Sequence, residues 1–295
     1  MSIESRLSDL VIQRWSLGER WNALNAPARE GGDWGLLFPS EIYGKLFDRS
    51  FPQIAKNAWK PLRGSYGTFF KRISDADLDA VRAFVDVLRP AVVISDLTDG
   101  RLALGFRARK SGTAGPERTE LGKLMRDAKP YDFAPLASHR KAGTDLAKRL
   151  ATFFDAMPLF SMVDGFVAVP PSDPAKKFSL PRGFAAHLAK HTGKIDFSTA
   201  VIKHNVTPQL KNLPRHEKVA ALLNSVSVDA SKVAGKAIVV VDDLYQSGLT
   251  LNYITEKLRE AGAATVYGLV AVKTMRDDDN VPKQTADDWD VDDDF

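Results

Sequence analysis

Residues 237–251 read AIVVVDDLYQSGLTL: five apolar residues run into two adjacent aspartates and, three residues later, into Ser-Gly-Leu-Thr. An unbroken apolar run bounded by polar residues is the pattern of a strand buried on both faces, which places Asp242 and Asp243 at the carboxyl end of a parallel strand. In open α/β sheets ligands bind at that end. Beyond it, Gln246-Ser247-Gly248-Leu249-Thr250 reads as a tight loop opening a helix, with unpaired backbone N–H groups and the positive end of the helix dipole facing the loop. Such a loop suits a phosphate, with the Ser247 and Thr250 hydroxyls as further donors. It is not a Walker loop, because no G-x-x-x-x-G-K is present. The bland alternative, an acidic pair that only caps the next turn, fits an arbitrary Asp-Asp better than one followed by Ser-Gly-x-Thr.

The rest of the composition narrows the classes. The chain has 295 residues, 44% of them hydrophobic, enough for one large or two moderate domains. No run of 18 uncharged apolar residues occurs, and the N-terminal MSIESRLSDL lacks the apolar region of a signal peptide, so a soluble, cytoplasmic protein with no membrane partner is expected. With no cysteine, disulfides, thiolate nucleophiles and Cys-rich zinc sites are excluded together, and any metal must be held by oxygen or by the five histidines. The net charge is +4, but residues 277–295 contain nine aspartates and one lysine, a net of −8, which leaves +12 on the rest. A basic body fits phosphorylated substrates and nucleic acid alike. The acidic tail reads as a solvated, disordered end, or alternatively as a polyanion mimic anchored by Trp289 and Phe295.

In chain order, three regions are expected: an N-terminal region over 1–100, an α/β domain over 101–276 and the tail over 277–295. Residues 2–24 suggest an amphipathic helix. Residues 25–66 interleave Trp34, Phe38, Tyr43, Phe47, Phe51, Trp59 and Tyr66 with Lys45, Arg49, Lys56, Lys60 and Arg63. This is either a small hydrophobic cluster with a charged rim or a stacking platform for single-stranded nucleic acid. Residues 74–88 predict a helix capped by Ser74, with Asp77 at the capping-box position and Leu78, Val81, Phe84, Val85 and Leu88 on one face. Strands follow over 91–95 and 101–109, joined through Thr98-Asp99-Gly100, and the loop over 110–117 is the best boundary. Further on, the pattern predicts a helix over 144–157, a strand over 163–169, a helix over 252–261 closing at Gly262, and a buried strand over 265–272.

The 237–251 segment resembles the phosphoribosyl-pyrophosphate (PRPP) motif of type I phosphoribosyltransferases: apolar strand, two acidic residues, spacer, then a hydroxyl-Gly-x-Thr loop. Other segments resemble the competence-associated ComF members of that group. Arg118-Thr119, Gly122 and Leu124 followed by Lys129 and Tyr131 match an R-T-x-x-G-x-L segment and a K-Y pair. Pro170-Pro171-Ser172 stands where the family has a V-P-x-S turn. Arg182-Gly183-Phe184 with Leu188-Ala189 matches R-G-F-N…L-A, with Ala185 in the asparagine position. Thr207, Gln209 and Leu213 with Arg215, Glu217 and Lys218 resemble T-x-x-Q-x-x-L…E-R, with lysine in place of the arginine. The resemblance covers residues 118–273. It departs from the family in having Gln246 and Ser247 where a pair of threonines is usual, and in lacking any cysteine for an N-terminal zinc ribbon.

The resemblance implies an open, mostly parallel sheet with helices on both faces, and a PRPP- and Mg²⁺-dependent transfer of phosphoribose with release of pyrophosphate. Asp242 and Asp243 would be the catalytic pair, accepting from the ribose hydroxyls directly or through hydrated Mg²⁺. Tyr245, Gln246, Ser247, Gly248, Leu249 and Thr250 would form the 5′-phosphate loop. Pro171, Ser172, Arg182 and Arg215, with Lys176 and Lys177 nearby, would face pyrophosphate. The basic residues between Lys203 and Lys218 form either a hood over PRPP or a solvated helix face. His187 and His191, spaced i, i+4, suit a metal but lack an acidic neighbour in sequence. A second reading is a weakly catalytic or non-catalytic ComF-like accessory protein in DNA uptake that binds single-stranded nucleic acid or senses a nucleotide. A homodimer is compatible with either reading, and nothing in the residues fixes the oligomeric state or the acceptor.

Overall fold

The computed structural model describes residues 1–18, 23–25, 34–54, 59–61, 69–110, 116–129, 137–176, 178–206 and 213–275. The 277–295 tail, most of the 110–117 loop, Pro130, Tyr131, Lys177, Tyr66 and residues 207–212 lie outside them.

The chain opens with α1 (Ile3–Ser8), capped by Ser2, whose hydroxyl accepts from the Ser5 N–H at 3.2 Å. The helix expected over 2–24 stops there. The Val-Ile-Gln-Arg-Trp stretch is β-branched and aromatic, and its backbone is taken up by β1 (Gln13–Trp15). Next come β2 (Leu24–Asn25), β3 (Trp34–Phe38), α2 (Glu41–Ser50), β4 (Lys60–Pro61) and β5 (Phe69–Ile73); these four strands form an antiparallel sheet in the order β2-β3-β5-β4. The predicted 74–88 helix is α3 (Leu78–Leu88) preceded by a 3₁₀ turn (Asp75–Asp77), and Ser74 donates its hydroxyl to the Asp77 carboxylate at 2.6 Å instead of capping a backbone N–H. Val81, Phe84, Val85 and Leu88 are its buried face, as expected.

The hairpin β6 (Val92–Ser95) and β7 (Gly100–Ala103) turns through Thr98-Asp99. The ribbon β8 (Ala108–Lys110) and β9 (Pro116–Arg118) leads to α4 (Glu120–Ala128), whose Thr119 cap accepts from the Gly122 N–H. Then follow α5 (Ala137–Ala156), β10 (Gly165–Ala168), α6 (Leu180–Thr192), β11 (Ile195–Asp196), β12 (Val201–Lys203), α7 (Arg215–Leu222), β13 (Val226–Val228), α8 (Ala230–Val233), β14 (Ala237–Tyr245), α9 (Leu249–Glu260) and β15 (Thr265–Lys273). The chain leaves α9 through Gly262 at φ +87°, the left-handed exit predicted for that glycine.

The principal sheet has seven strands in the order β1-β6-β7-β15-β14-β10-β11. From β7 to β11 every pairing is parallel, while β6 and β1 are added antiparallel at one edge. The expected class, an open and mostly parallel sheet with helices on both faces and a mixed N-terminal region, is observed. Residues 13–15 and 92–95, on the N-terminal side of residue 101, belong to the same sheet as β14. β14 lies between β10 and β15, and Ile238 to Val241 are wholly buried. Val239 and Val241 join a core with Leu150, Phe154 and Phe184 of α5 and α6. Ile238 and Val240 join the opposite core with Ile254 and Leu258 of α9, Val219 and Leu222 of α7, and Leu7 of α1.

The aromatic stretch is a hydrophobic cluster. Phe38, Tyr43 and Phe47 are completely buried, and Phe47 packs edge-on against Phe84 and Trp59 at centroid distances of 5.9 and 5.7 Å. Lys71 lies beneath them: its buried ammonium sits 4.9 Å from the Trp59 ring centroid and pairs with Asp48 at 2.6 Å. Phe38, Tyr43, Phe47 and Phe51 are buried and Trp34 and Trp59 pack half-buried against them, which is the hydrophobic-cluster alternative for this stretch. Phe47→Ala is expected to lower unfolding stability by about 3–5 kcal/mol, measured by urea denaturation.

Candidate functional site

The site grows from the carboxyl end of β14. The strand continues through the aspartates to Tyr245 instead of ending before them, because β15 pairs with it as far as Tyr245↔Lys273 and the Thr274 N–H donates to the Tyr245 carbonyl at 3.0 Å. Asp242 and Asp243 are thus held on a hydrogen-bonded strand, half-buried, with little backbone freedom. One Asp242 carboxyl oxygen accepts the Asp243 N–H at 2.8 Å. An Asp243 oxygen pairs with the Lys129 ammonium at 3.0 Å. Burial pushes the Asp242 carboxyl well above the usual carboxylate range; the adjacent Asp243 charge adds to this, while the Asp243 N–H, Lys129 and Arg101 oppose it. Lys129, just past α4, is a site residue that sequence reading did not assign; its place in the K-Y pair was the available signal.

Beyond Tyr245 the chain bends at Gln246 and Ser247 and enters α9 through Gly248 in the left-handed conformation, φ +70°. Glycine is required here twice over. The positive φ disfavours any other residue, and a Cβ would lie 2.1 Å from the Tyr245 hydroxyl. Among the described residues, the N–H groups of Ser247, Gly248, Leu249 and Thr250 have no hydrogen-bond partner. They form an open set of donors at a helix start, next to the acidic pair. Gln246, Ser247 and Thr250 are partly exposed, whereas Tyr245 and Leu249 are buried.

The Pro-Pro-Ser turn leaves the sheet beside this point, since Val169 makes the last β10 ladder bond, to the Val241 carbonyl at 3.0 Å. Pro171 is half-buried and Ser172 exposed. Arg182 is exposed on the first turn of α6, the helix that follows this turn and packs on β10 and β14. These residues and the acidic pair share one end of the sheet. Arg215 is placed elsewhere: its guanidinium donates to the Leu7 carbonyl at 2.8 Å and to the Leu10 carbonyl, joining α7 to the end of α1. In the rest of the basic stretch between Lys203 and Lys218, Lys218 is buried in α7, while His204 meets the Ser227 hydroxyl at 2.8 Å across the β12–β13 pair.

His187 and His191 stack with ring centroids 6.3 Å apart, and His191 does have an acidic partner, Asp155 on α5 at 2.7 Å. Burial first, then the positive field of His191, Lys148 and Lys190, hold His187 below the usual imidazole range. Among the described residues no group of three or more His, Asp or Glu side chains is placed to hold a metal. No described helix is long and apolar enough to cross a membrane.

The residues that build this site lie mainly in the second half of the chain. Residues 180–293 match the family model described as the phosphoribosyl transferase domain. That match contains β14, the loop and α9, and spans less than half of the chain. No curated protein sequence matches. Among solved structures, the allosteric regulatory enzyme of purine biosynthesis is 19% identical, with 69% of this chain and 37% of that one covered and a TM-score of 0.34. The glutamine PRPP amidotransferase of B. subtilis complexed with ADP and GMP is 16% identical over 85% and 64% of the two chains, TM-score 0.36. The UMP synthase of Leishmania donovani is 16% identical over 69% and 33%, TM-score 0.29. This chain spans less than two thirds of the length of each.

Two measurements test the site as described. Asp242 binds a proton more readily folded than unfolded, so its contribution to stability is complete at acid pH and falls as pH rises above the ordinary Asp range. Asp242→Asn is expected to flatten that fall and to raise the melting temperature at pH 7.5 relative to the parent, with little difference at pH 4. Arg215→Ala, which strands two carbonyls of the N-terminal segment, is expected to cost about 1–3 kcal/mol in urea denaturation.

Proposed function

We propose that this protein binds PRPP at the carboxyl end of β14 and transfers its phosphoribosyl group to an acceptor, releasing pyrophosphate. The observation that carries the reading is the direct succession, on one strand and one helix, of a carboxyl pair and a run of unpartnered N–H donors opened by Gly248. A sugar phosphate presents complementary groups in the same order. The 5′-phosphate oxygens accept from the N–H groups of 247–250 and from the Ser247 and Thr250 hydroxyls, and the ribose 2′- and 3′-hydroxyls donate to Asp242 and Asp243.

In the reaction the bond from the anomeric carbon to the pyrophosphate oxygen breaks and its electron pair leaves with pyrophosphate. The acceptor's lone pair bonds to that carbon, and the acceptor releases a proton. The carbon gains cationic character between the two, so the protein contributes position and charge stabilisation. Asp243 supplies the negative field near the ribose. Arg182 and the Pro171-Ser172 turn lie on the side where pyrophosphate departs. No covalent nucleophile is needed, in keeping with a chain without cysteine.

Mg²⁺ fits this donor set, because it keeps most of its waters and takes one or two carboxylates together with phosphate oxygens. Asp242 and Asp243 would hold it, and it would neutralise charge on the pyrophosphate. Holding it would require Lys129, 3.0 Å from Asp243, to share that carboxylate. The ordered likeness of residues 118–124, 170–172 and 182–189 to ComF proteins supports a place near that subfamily. A nucleic-acid reading keeps the basic body in its support but not the buried Phe38, Tyr43, Phe47 and Phe51.

Calorimetry with PRPP and MgCl₂ tests the reading. The parent is expected to bind, and Asp242→Asn, Asp243→Asn and Gly248→Ala are each expected to lose more than about tenfold in affinity, the scale of one charge-assisted hydrogen bond. Unaltered affinity in all three variants would falsify the site. A screen of bases and amines for pyrophosphate release then names the acceptor.

A further inference from the structure

Beneath the loop lies a polar network that the site motif does not account for. Tyr245, fully buried, donates its hydroxyl to Asp96 at 3.0 Å. The same Asp96 oxygen pairs with Arg101 Nε at 2.8 Å, with both side chains at 0% exposure. The other oxygen accepts from the Thr98 N–H at 2.9 Å and the Thr98 hydroxyl at 2.6 Å. Arg101 also donates to the Thr255 hydroxyl at 3.3 Å and lies 5.3 Å from the Tyr245 ring centroid. Asn252, wholly buried in α9, closes the circuit: its amide donates to the Gly248 carbonyl at 2.9 Å and to the Tyr245 hydroxyl at 3.4 Å, and its oxygen accepts from the Leu97 N–H at 3.0 Å.

Two glycines make room for this arrangement. Gly268, opposite Arg101 on β15, could not carry a Cβ, which would fall 2.6 Å from Arg101 Nε. Gly248 rests on the Tyr245 hydroxyl. A buried arginine–aspartate pair is costly to desolvate, and an apolar filling would serve packing equally well, so its retention points to a task in geometry. Every bond of the loop side of the network ends on Gly248 or on the side chain directly under it.

We propose that Asp96, Arg101, Tyr245 and Asn252 are positioning residues for the phosphate-holding loop, fixing the Gly248 peptide from below so that the 247–250 N–H groups converge on one anion. The inference rests on the reading of that loop as a phosphate site. Asp96 and Arg101 belong to the β6–β7 hairpin, outside the segment that matches the phosphoribosyl transferase domain. The hairpin thus becomes a working part of the site. The charged side of the network also reaches the acidic pair, since Arg101 acts electrostatically on Asp242.

Tyr245→Phe keeps the ring and removes only the hydroxyl; Asn252→Ala removes the Gly248 and Leu97 bonds. The probes are amide hydrogen exchange across the full chain and titration with ribose 5-phosphate and, separately, ribose. In both variants exchange of the Asn252 amide, which donates to the Gly248 carbonyl at 2.9 Å, and of the next turn of α9 is expected to accelerate about five- to tenfold, the scale of one buried hydrogen bond, while β10 and α6 exchange as in the parent. Affinity for ribose 5-phosphate is expected to fall by a similar factor and affinity for ribose to stay unchanged. Exchange that is unchanged at the Asn252 amide and the next turn of α9, or accelerated equally throughout, overturns the inference, as does loss of ribose and ribose 5-phosphate affinity in equal measure. If the parent binds no ribose 5-phosphate, the phosphate-site reading falls by itself, and localised exchange still decides whether the network fixes the loop.

Discussion

The parallel ladder that joins β10, β14 and β15 sets the terms for everything else in this fold. A strand with neighbours on both sides and helices over both faces must pair all its backbone groups and bury all its side chains, so its sequence is nearly free of polar residues until it leaves the ladder. Polar chemistry is therefore pushed to the carboxyl end, where Asp242 and Asp243 follow Val241, the last residue registered with β10, while the pairing with β15 runs on to Tyr245. The helices that return across the sheet begin at that same end, so α6 and α9 bring their N-terminal N–H groups to the aspartates. Site and scaffold arise from one constraint.

At that end burial and the neighbouring Asp243 both push the Asp242 carboxyl above the ordinary range, and Lys129 pairs with Asp243. A second ionic junction lies at the opposite end of the sheet. Asp99 in the β6–β7 turn receives Arg49 of α2 and Arg259 of α9, each at 3.2 Å, and the Val266 N–H of β15 at 3.0 Å. Arg259 continues to Glu256, which also holds Arg6 of α1 at 2.9 Å. One turn thus ties the N-terminal layer to the last helix and strand.

What was legible in the sequence was local. The apolar run of β14, the glycine entry to α9 at Gly248 and the exit at Gly262, and the α3 face each depend on residues close together in the chain. What was illegible depended on distant partners. Arg101 reads as an ordinary strand residue, and nothing near it announces a buried cation whose hydroxyl partner, Thr255, is 154 positions away and whose space is made by Gly268. Arg215 looked like a ligand for pyrophosphate because its use by Leu7 and Leu10 lies more than two hundred residues upstream. The helix expected over 2–24 failed for a related reason: β6 offers its free edge to Gln13–Trp15, and that edge is not visible in the first 24 residues. Lys129 was within reach of the eye but not of the argument, since only the packing of α4 brings it to Asp243.

The interleaving of early and late segments bears on how the chain is made. The β6–β7 hairpin and β1 can pair as soon as they emerge from the ribosome, yet the outer edge of β7 has no partner until Tyr267 to Val270 have been synthesised. Over that interval the hairpin presents an unpaired apolar edge, and the buried Arg101 is without Thr255 and Tyr245. Non-local parallel pairing of this kind is slow to form and open to wrong partners while it waits. The nascent chain's exposure is therefore set by the last strand to be translated, and a pause or truncation before β15 leaves the middle of the sheet, not its margin, unprotected.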